Sequence, residues 1–196
     1  MSRAVVITVL LAGFLASSGC GKSEFEKKKE ELDTAVAALK EATDKLEADT
    51  KAQDTEKGIT SRKLIKKWVV IQGTRKMDGT KFAQVISATT GKPELVIRCE
   101  GKKTDLFIST DTVVDDHNVR LKLDEAKPLT QQWDRSDDYE ALFSRQPVAL
   151  AKQFVVAKVL MFEYKPYREG PKVVEFQLDG LKDALSEASS VCTWAK

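Results

Sequence analysis

Three cysteines and a single histidine carry the most distinctive chemistry in this 196-residue chain. Cys99 closes the run Leu95-Val96-Ile97-Arg98-Cys99, in which Leu95, Ile97 and Cys99 share one face of a strand while Glu94, Val96 and Arg98 share the other. That pattern turns the Cys99 thiol inward. Cys192 ends a predicted C-terminal helix that starts at an Asp179 cap and buries Leu181, Ala184, Leu185, Ala188, Val191 and Cys192. Two inward thiols are what one disulfide needs, and a Cys99–Cys192 bridge over a loop of about 93 residues stabilises by about 4 kcal/mol on the chain-entropy picture. The alternative is two separately buried thiols. His117 lies in Val114-Asp115-Asp116-His117-Asn118. Asp115, Asp116 and His117 have metal-ligand chemistry, but consecutive side chains on extended backbone diverge, so a polar hairpin turn is the preferred reading and no metal is expected. Asp134, Asp137 and Asp138 are carboxylates without a spacing that makes them converge. The chain has no phosphate-binding glycine loop, HExxH or GxSxG, so no catalytic residue and no cofactor is assigned.

The third cysteine has a different setting. Ser2-Arg3 is followed by an apolar run from Ala4 to Ala16 that is too short to span a bilayer, and then by Ser17-Ser18-Gly19-Cys20. This is the layout of a secretory signal peptide over residues 1–19. Leu15-Ala16-Ser17-Ser18-Gly19-Cys20 resembles the bacterial lipoprotein cleavage box, which implies that Cys20 is acylated and becomes the first mature residue. The alternative is ordinary secretion with Cys20 incidental. Lipidation leaves Cys99 and Cys192 as the two thiols of an oxidising compartment. Gly21 stands where retained lipoproteins of the resembled class carry Asp, which implies the outer membrane, facing the periplasm.

From about Glu24 to Glu56 the chain has neither Gly nor Pro, and Phe25, Leu32, Leu39 and Leu46 recur every seven residues. The alternate seam positions are Lys29, Val36, Thr43 and Thr50, so this is half of a coiled-coil seam. Acidic residues outnumber basic ones by eleven to eight between Lys22 and Lys57. The segment reads as a lipidated N-terminus and helical stalk over 20–57; homo-oligomerisation through helix 24–56 and packing onto its own domain are the other readings. Gly58-Ile59-Thr60-Ser61 breaks the pattern and opens a β-rich domain over 58–196. Arg62, Lys63, Lys66 and Lys67 form either a lipid-contacting cluster or a solvated entry to the first strand.

Beyond Trp68, short apolar runs alternate with turn signals. Strands are predicted over Trp68–Ile71, Phe82–Ala88, Leu95–Cys99, Thr104–Ser109, Val119–Asp124, Val159–Tyr164 and Val173–Leu178, with a helix over Pro147–Ala157. Asp134–Ser144 reads as a loop with a short helical turn, and Val159–Tyr164 as central because it is apolar on both faces. The predicted fold is α+β, mainly β: an antiparallel sandwich-like sheet of seven or eight strands with short helices and a C-terminal helix, preceded by the long N-terminal helix. Trp133 and Trp194 are the aromatics with recognition potential, set against core or rim packing. A net charge of +2 with no aromatic-interleaved basic stripe gives no support for nucleic-acid binding.

Pro93-Glu94-Leu95-Val96-Ile97-Arg98-Cys99 followed by Lys103-Thr104-Asp105-Leu106-Phe107-Ile108 resembles the LxxRC…T block of the VasI/TagO type VI secretion-associated proteins. The ordered series continues through Val119–Asp124, Trp133-Asp134-Arg135-Ser136 and Phe176–Leu181 to Cys192-Thr193-Trp194, covering about residues 67–194. The resemblance implies an accessory role in type VI secretion and carries over no catalytic residue. The expected function is therefore that of a non-enzymatic envelope lipoprotein, anchored to the membrane through Cys20, whose β-rich domain binds an envelope protein. Two other roles suit the same anchor. One is a prophage-type lipoprotein that blocks a surface receptor (superinfection exclusion). The other is a cell-wall glycan binder or hydrolase, which alone requires a cleft with converging carboxylates.

Overall fold

The computed structural model describes residues 22–89, 91, 93–110 and 112–195, so the signal peptide expected over 1–19 and Cys20 lie outside the described residues. The chain divides into two units between Thr50 and Lys51. The first contains most of helix α1, Lys22–Glu56, on which Leu32, Val36, Leu39 and Leu46 are exposed. Thr34, Thr43 and Thr50 turn their hydroxyls back onto the carbonyls of Glu30, Leu39 and Leu46. The polar seam positions Thr43 and Thr50, like Thr34 outside the seam, thus satisfy themselves within the helix. No helix among the described residues is long and apolar enough to cross a membrane.

The second unit is built on two antiparallel sheets. In the larger the strand order is β1-β2-β3-β4-β5-β9-β8, and in the smaller β11-β10-β6-β7. The larger contains β1 Ile59–Ile65, β2 Trp68–Thr74, β3 Lys81–Ser87, β4 Glu94–Glu100, β5 Lys103–Ser109, β8 Asp134–Arg135 and β9 Ala141–Phe143. The smaller contains β6 Asn118–Leu123, β7 Leu129–Gln132, β10 Val159–Tyr164 and β11 Lys172–Gln177. Both sheets contribute to one core, in which Trp68, Val85, Ile97, Leu106 and Leu142 meet Leu121, Leu160, Phe162 and Phe176. Helix α2, Pro147–Val156, adds Leu150, Ala151 and Phe154 to that core, and helix α3, Leu181–Glu187, adds Leu181, Ala184 and Leu185.

The expected fold class and antiparallel order hold, and the structure corrects several local expectations. The basic segment around Arg62 is an edge strand: β1 pairs with β2 through a two-residue reversal with Lys66 at φ 52°. An edge strand tolerates charge on its free side, which hides it from a search for apolar alternation. Asp134–Ser144 forms strands β8 and β9 rather than a helical turn, because a Ser136–Tyr139 reversal folds the segment back on itself. Strand β7 was not expected, since Leu129-Thr130-Gln131-Gln132 is almost entirely polar. β10 is central as expected, between β11 and β6, but its Met161 face is half-exposed. Helix α3 is entered from Gly180 at φ 86°, with no side-chain cap, whereas Asp179 instead accepts a hydrogen bond from Lys66 Nζ at 3.0 Å. That bond holds the Lys66 ammonium above its usual range. The regular helix ends at Glu187, and two 3-10 turns, Ala188–Ser190 and Thr193–Ala195, carry the chain past Cys192.

Candidate functional site

Cys99 and Cys192 are joined by a disulfide with Cα atoms 5.4 Å apart. The bond ties the centre of the large sheet to the C-terminal turns. Thr104 stands opposite Cys99 on β5, and its Oγ1 accepts the Trp194 indole N–H at 2.9 Å. Strand, disulfide and indole are thus locked around one threonine, which fixes Trp194 at the mouth of a groove between α2 and α3. The groove, about 250 Å³, is lined by Lys152, Val155, Lys182, Leu185, Trp194 and Ala195.

Trp133 has a different place. It is fully buried in the link between β7 and β8, with its ring centroid 5.1 Å from that of Phe162 and its N–H donated to Gln131 Oε1 at 3.0 Å. A side chain with no exposed face cannot anchor a partner, so the recognition potential read into Trp133 is corrected to core packing. The aspartates and histidine of the turn also find local uses. His117 Nδ1 lies 3.1 Å from the Trp133 carbonyl, and the Trp133 N–H donates to the His117 carbonyl at 2.8 Å. Asp116 accepts from the Asn118 backbone N–H, which lowers its carboxyl below the usual range, and Asp115 faces Lys165 at 3.6 Å. Asp134 is bound by Arg145, and Asp138 accepts from the Ser136 hydroxyl. Among the described residues, no group of three or more His, Cys, Asp or Glu side chains could hold a metal. Of these carboxylates, Asp138 builds the Ser136–Tyr139 turn and Asp134 pairs with Arg145.

The structure also reveals a surface that reading strands singly did not find. Leu64 pairs with Val69, Val69 with Ile86, Ile86 with Val96, Val96 with Phe107 and Phe107 with Phe143. Directly opposed residues on antiparallel strands point to the same side. These six side chains therefore make one apolar row across six strands, about 24 Å wide at the usual strand spacing. They alternate with Trp68, Val70, Val85, Ile97, Leu106 and Leu142, which fill the core, so the row occupies the opposite face of the sheet. The Phe107 and Phe143 rings stack at 4.6 Å, and the Arg98 guanidinium lies over Phe107. At the other end Leu64 is 69% exposed; Val69, Ile86, Phe107 and Phe143 are half-buried, and Val96 in the middle of the row is buried.

The family profile described as "Type VI secretion system VasI, EvfG, VC_A0118" matches residues 19–194. The chain belongs to the VasI family. This makes it a type VI secretion-associated protein, and the match spans both α1 and the disulfide-tied sheets. Among solved structures, the crystal structure of invasion associated protein B from Bartonella henselae is similar at 12% identity and a TM-score of 0.48, covering 68% of this chain and 99% of that one. No curated protein matches the chain. In this VasI-family chain, Cys99, Cys192 and Trp194 meet around Thr104. The Asp115–His117 segment, in contrast, is not the expected hairpin turn: it carries the chain from β5 of the larger sheet to β6 of the smaller, and the Asp115 N–H donates to the Lys165 carbonyl on the way.

Proposed function

We propose that this chain is a non-enzymatic envelope component of a type VI secretion system, held to a membrane through acylated Cys20 and binding a protein of that system through its β-rich domain. In this reading residues 1–19 are the cleaved signal peptide, 20–57 the lipidated helical spacer and 58–196 the binding domain. The membrane is the outer one, and the domain faces the periplasm. Membership of the VasI family supports the system; the apolar row from Leu64 to Phe143 supports the binding role and is the observation that carries it. The outer face of an antiparallel sheet is normally polar, and the apolar side chains that stay exposed or half-exposed along this row, Leu64 above all, are what a partner would cover.

The test is a photocrosslinking side chain placed at position 64 in cells that carry the secretion apparatus. Crosslinks to an apparatus protein are expected there, and Leu64→Asp should lower capture from a second probe at position 69 at least fivefold. Because Leu64 is exposed, the substitution should move unfolding stability by no more than about 0.5 kcal/mol. A position-64 probe that captures no apparatus protein overturns the reading.

A further inference from the structure

We propose that the groove between α2 and α3 is a second docking site, one that takes an acidic segment of a partner protein by seating one of its apolar side chains against Trp194. It lies apart from the apolar row of the large sheet and stands on different observations. Each helix contributes a lysine one turn before an apolar residue: Lys152 and Val155 on α2, Lys182 and Leu185 on α3. The floor and wall are therefore apolar and the rim is cationic. Among the described residues no carboxylate lines the groove and neither lysine makes an ion pair. Two cations without a carboxylate partner among the described residues, set over an apolar floor, complement a carboxylate-flanked apolar anchor.

Size and charge select the class of occupant. At about 250 Å³ the groove is smaller than the pockets of roughly 300–1,000 Å³ that enclose drug-sized ligands, and it suits one or two side chains of a docked peptide. Recognition of anionic membrane surfaces draws on clusters of roughly four to eight basic residues, and this rim offers two. The indole is also preorganised. Thr104 and the neighbouring disulfide hold the ring in place before anything binds, so little side-chain freedom remains to be lost on docking.

Trp68 and Trp133 are fully buried, so a change in tryptophan emission on ligand addition reports on Trp194. The full chain is titrated with a synthetic peptide holding one phenylalanine between two pairs of glutamates. Two control peptides replace the phenylalanine by alanine or the glutamates by lysines, and phosphatidylglycerol vesicles form the last arm. The expected result is a saturable blue shift with the acidic phenylalanine peptide, at least tenfold weaker binding of each control, and at least tenfold weakening in Lys152→Glu/Lys182→Glu. That variant keeps its unfolding midpoint because both lysines are exposed. Equal binding of either control, binding unaffected by the charge reversal, or a response to vesicles but to no peptide overturns the proposal. Each of those outcomes leaves the position-64 crosslinks unchanged, so failure here is separable from failure of the sheet-face reading.

Discussion

At the scale of single residues, Gly58 shows how tightly the start of the second unit is built. It sits at φ 70°, and a Cβ there would come within 2.1 Å of the Thr74 carbonyl oxygen. The close approach has a purpose: the Thr74 N–H donates to the Gly58 carbonyl at 2.8 Å, closing β2 against the junction that ends α1. Any side chain must break this contact as well as adopt left-handed backbone. Gly58→Ala is expected to destabilise the β-rich unit by about 1–3 kcal/mol, measured as a lower urea midpoint with an unchanged denaturant slope. An unaltered midpoint would show that the junction relaxes without cost. Trp133 and Trp194 make a related point. Both stand beside motif residues in the sequence, yet one fills the core and the other rims a groove, because β7 and β8 enclose the first while a 3-10 turn leaves the second at the surface.

At the scale of elements, the disulfide does the work that a longer helix would otherwise do. Helix α3 has only seven residues, no side-chain cap and a glycine entry, and helices this short are marginal on their own. Its position depends on burying Leu181, Ala184 and Leu185 and on the Cys99–Cys192 bond, whose sulfurs are separated by 93 residues of sequence. Cys99→Ala/Cys192→Ala is expected to lose about 4 kcal/mol, read from urea unfolding without reductant, since the link restricts the unfolded chain. Amide exchange should rise more in Leu181–Glu187 than in β10, which is hydrogen-bonded on both sides. Uniform acceleration in both would show that the bond stabilises the whole domain and not this end of it. The same elements show what could be read in advance. β4 and β5 were legible because inward alternation and the Glu100–Lys103 reversal agree with each other. β1, β7 and β8 were not, since edge and near-edge strands carry polar residues that long-range pairing alone turns into strands. The disulfide partners were legible from the faces their neighbours bury. The apolar row was not, because each strand contributes only one residue to it and register across six strands is a tertiary fact.

At the scale of the whole molecule, the proposed membrane attachment rests on acylation of Cys20 and not on helix α1. Helix α1 is exposed at Leu32, Val36, Leu39 and Leu46 with one narrow apolar stripe, and acidic residues exceed basic ones along it. A helix that lies in a membrane interface needs a broad apolar face and a basic polar one, and anionic headgroups repel an acidic helix. Some 35 helical residues reach about 50 Å, a length suited to a spacer between lipid and domain. One acyl chain binds a bilayer only marginally, whereas the several carried by a lipoprotein cysteine hold it stably. Cys20→Ser is therefore expected to abolish incorporation of labelled palmitate and to shift the chain from the membrane pellet to the soluble periplasmic fraction. The β-rich unit of the variant should unfold at the same urea concentration as the parent, because no part of that unit contains residue 20. If the Cys20→Ser chain stays in the pellet after carbonate extraction, the tether is not at Cys20, and the spacer role of α1 falls with it.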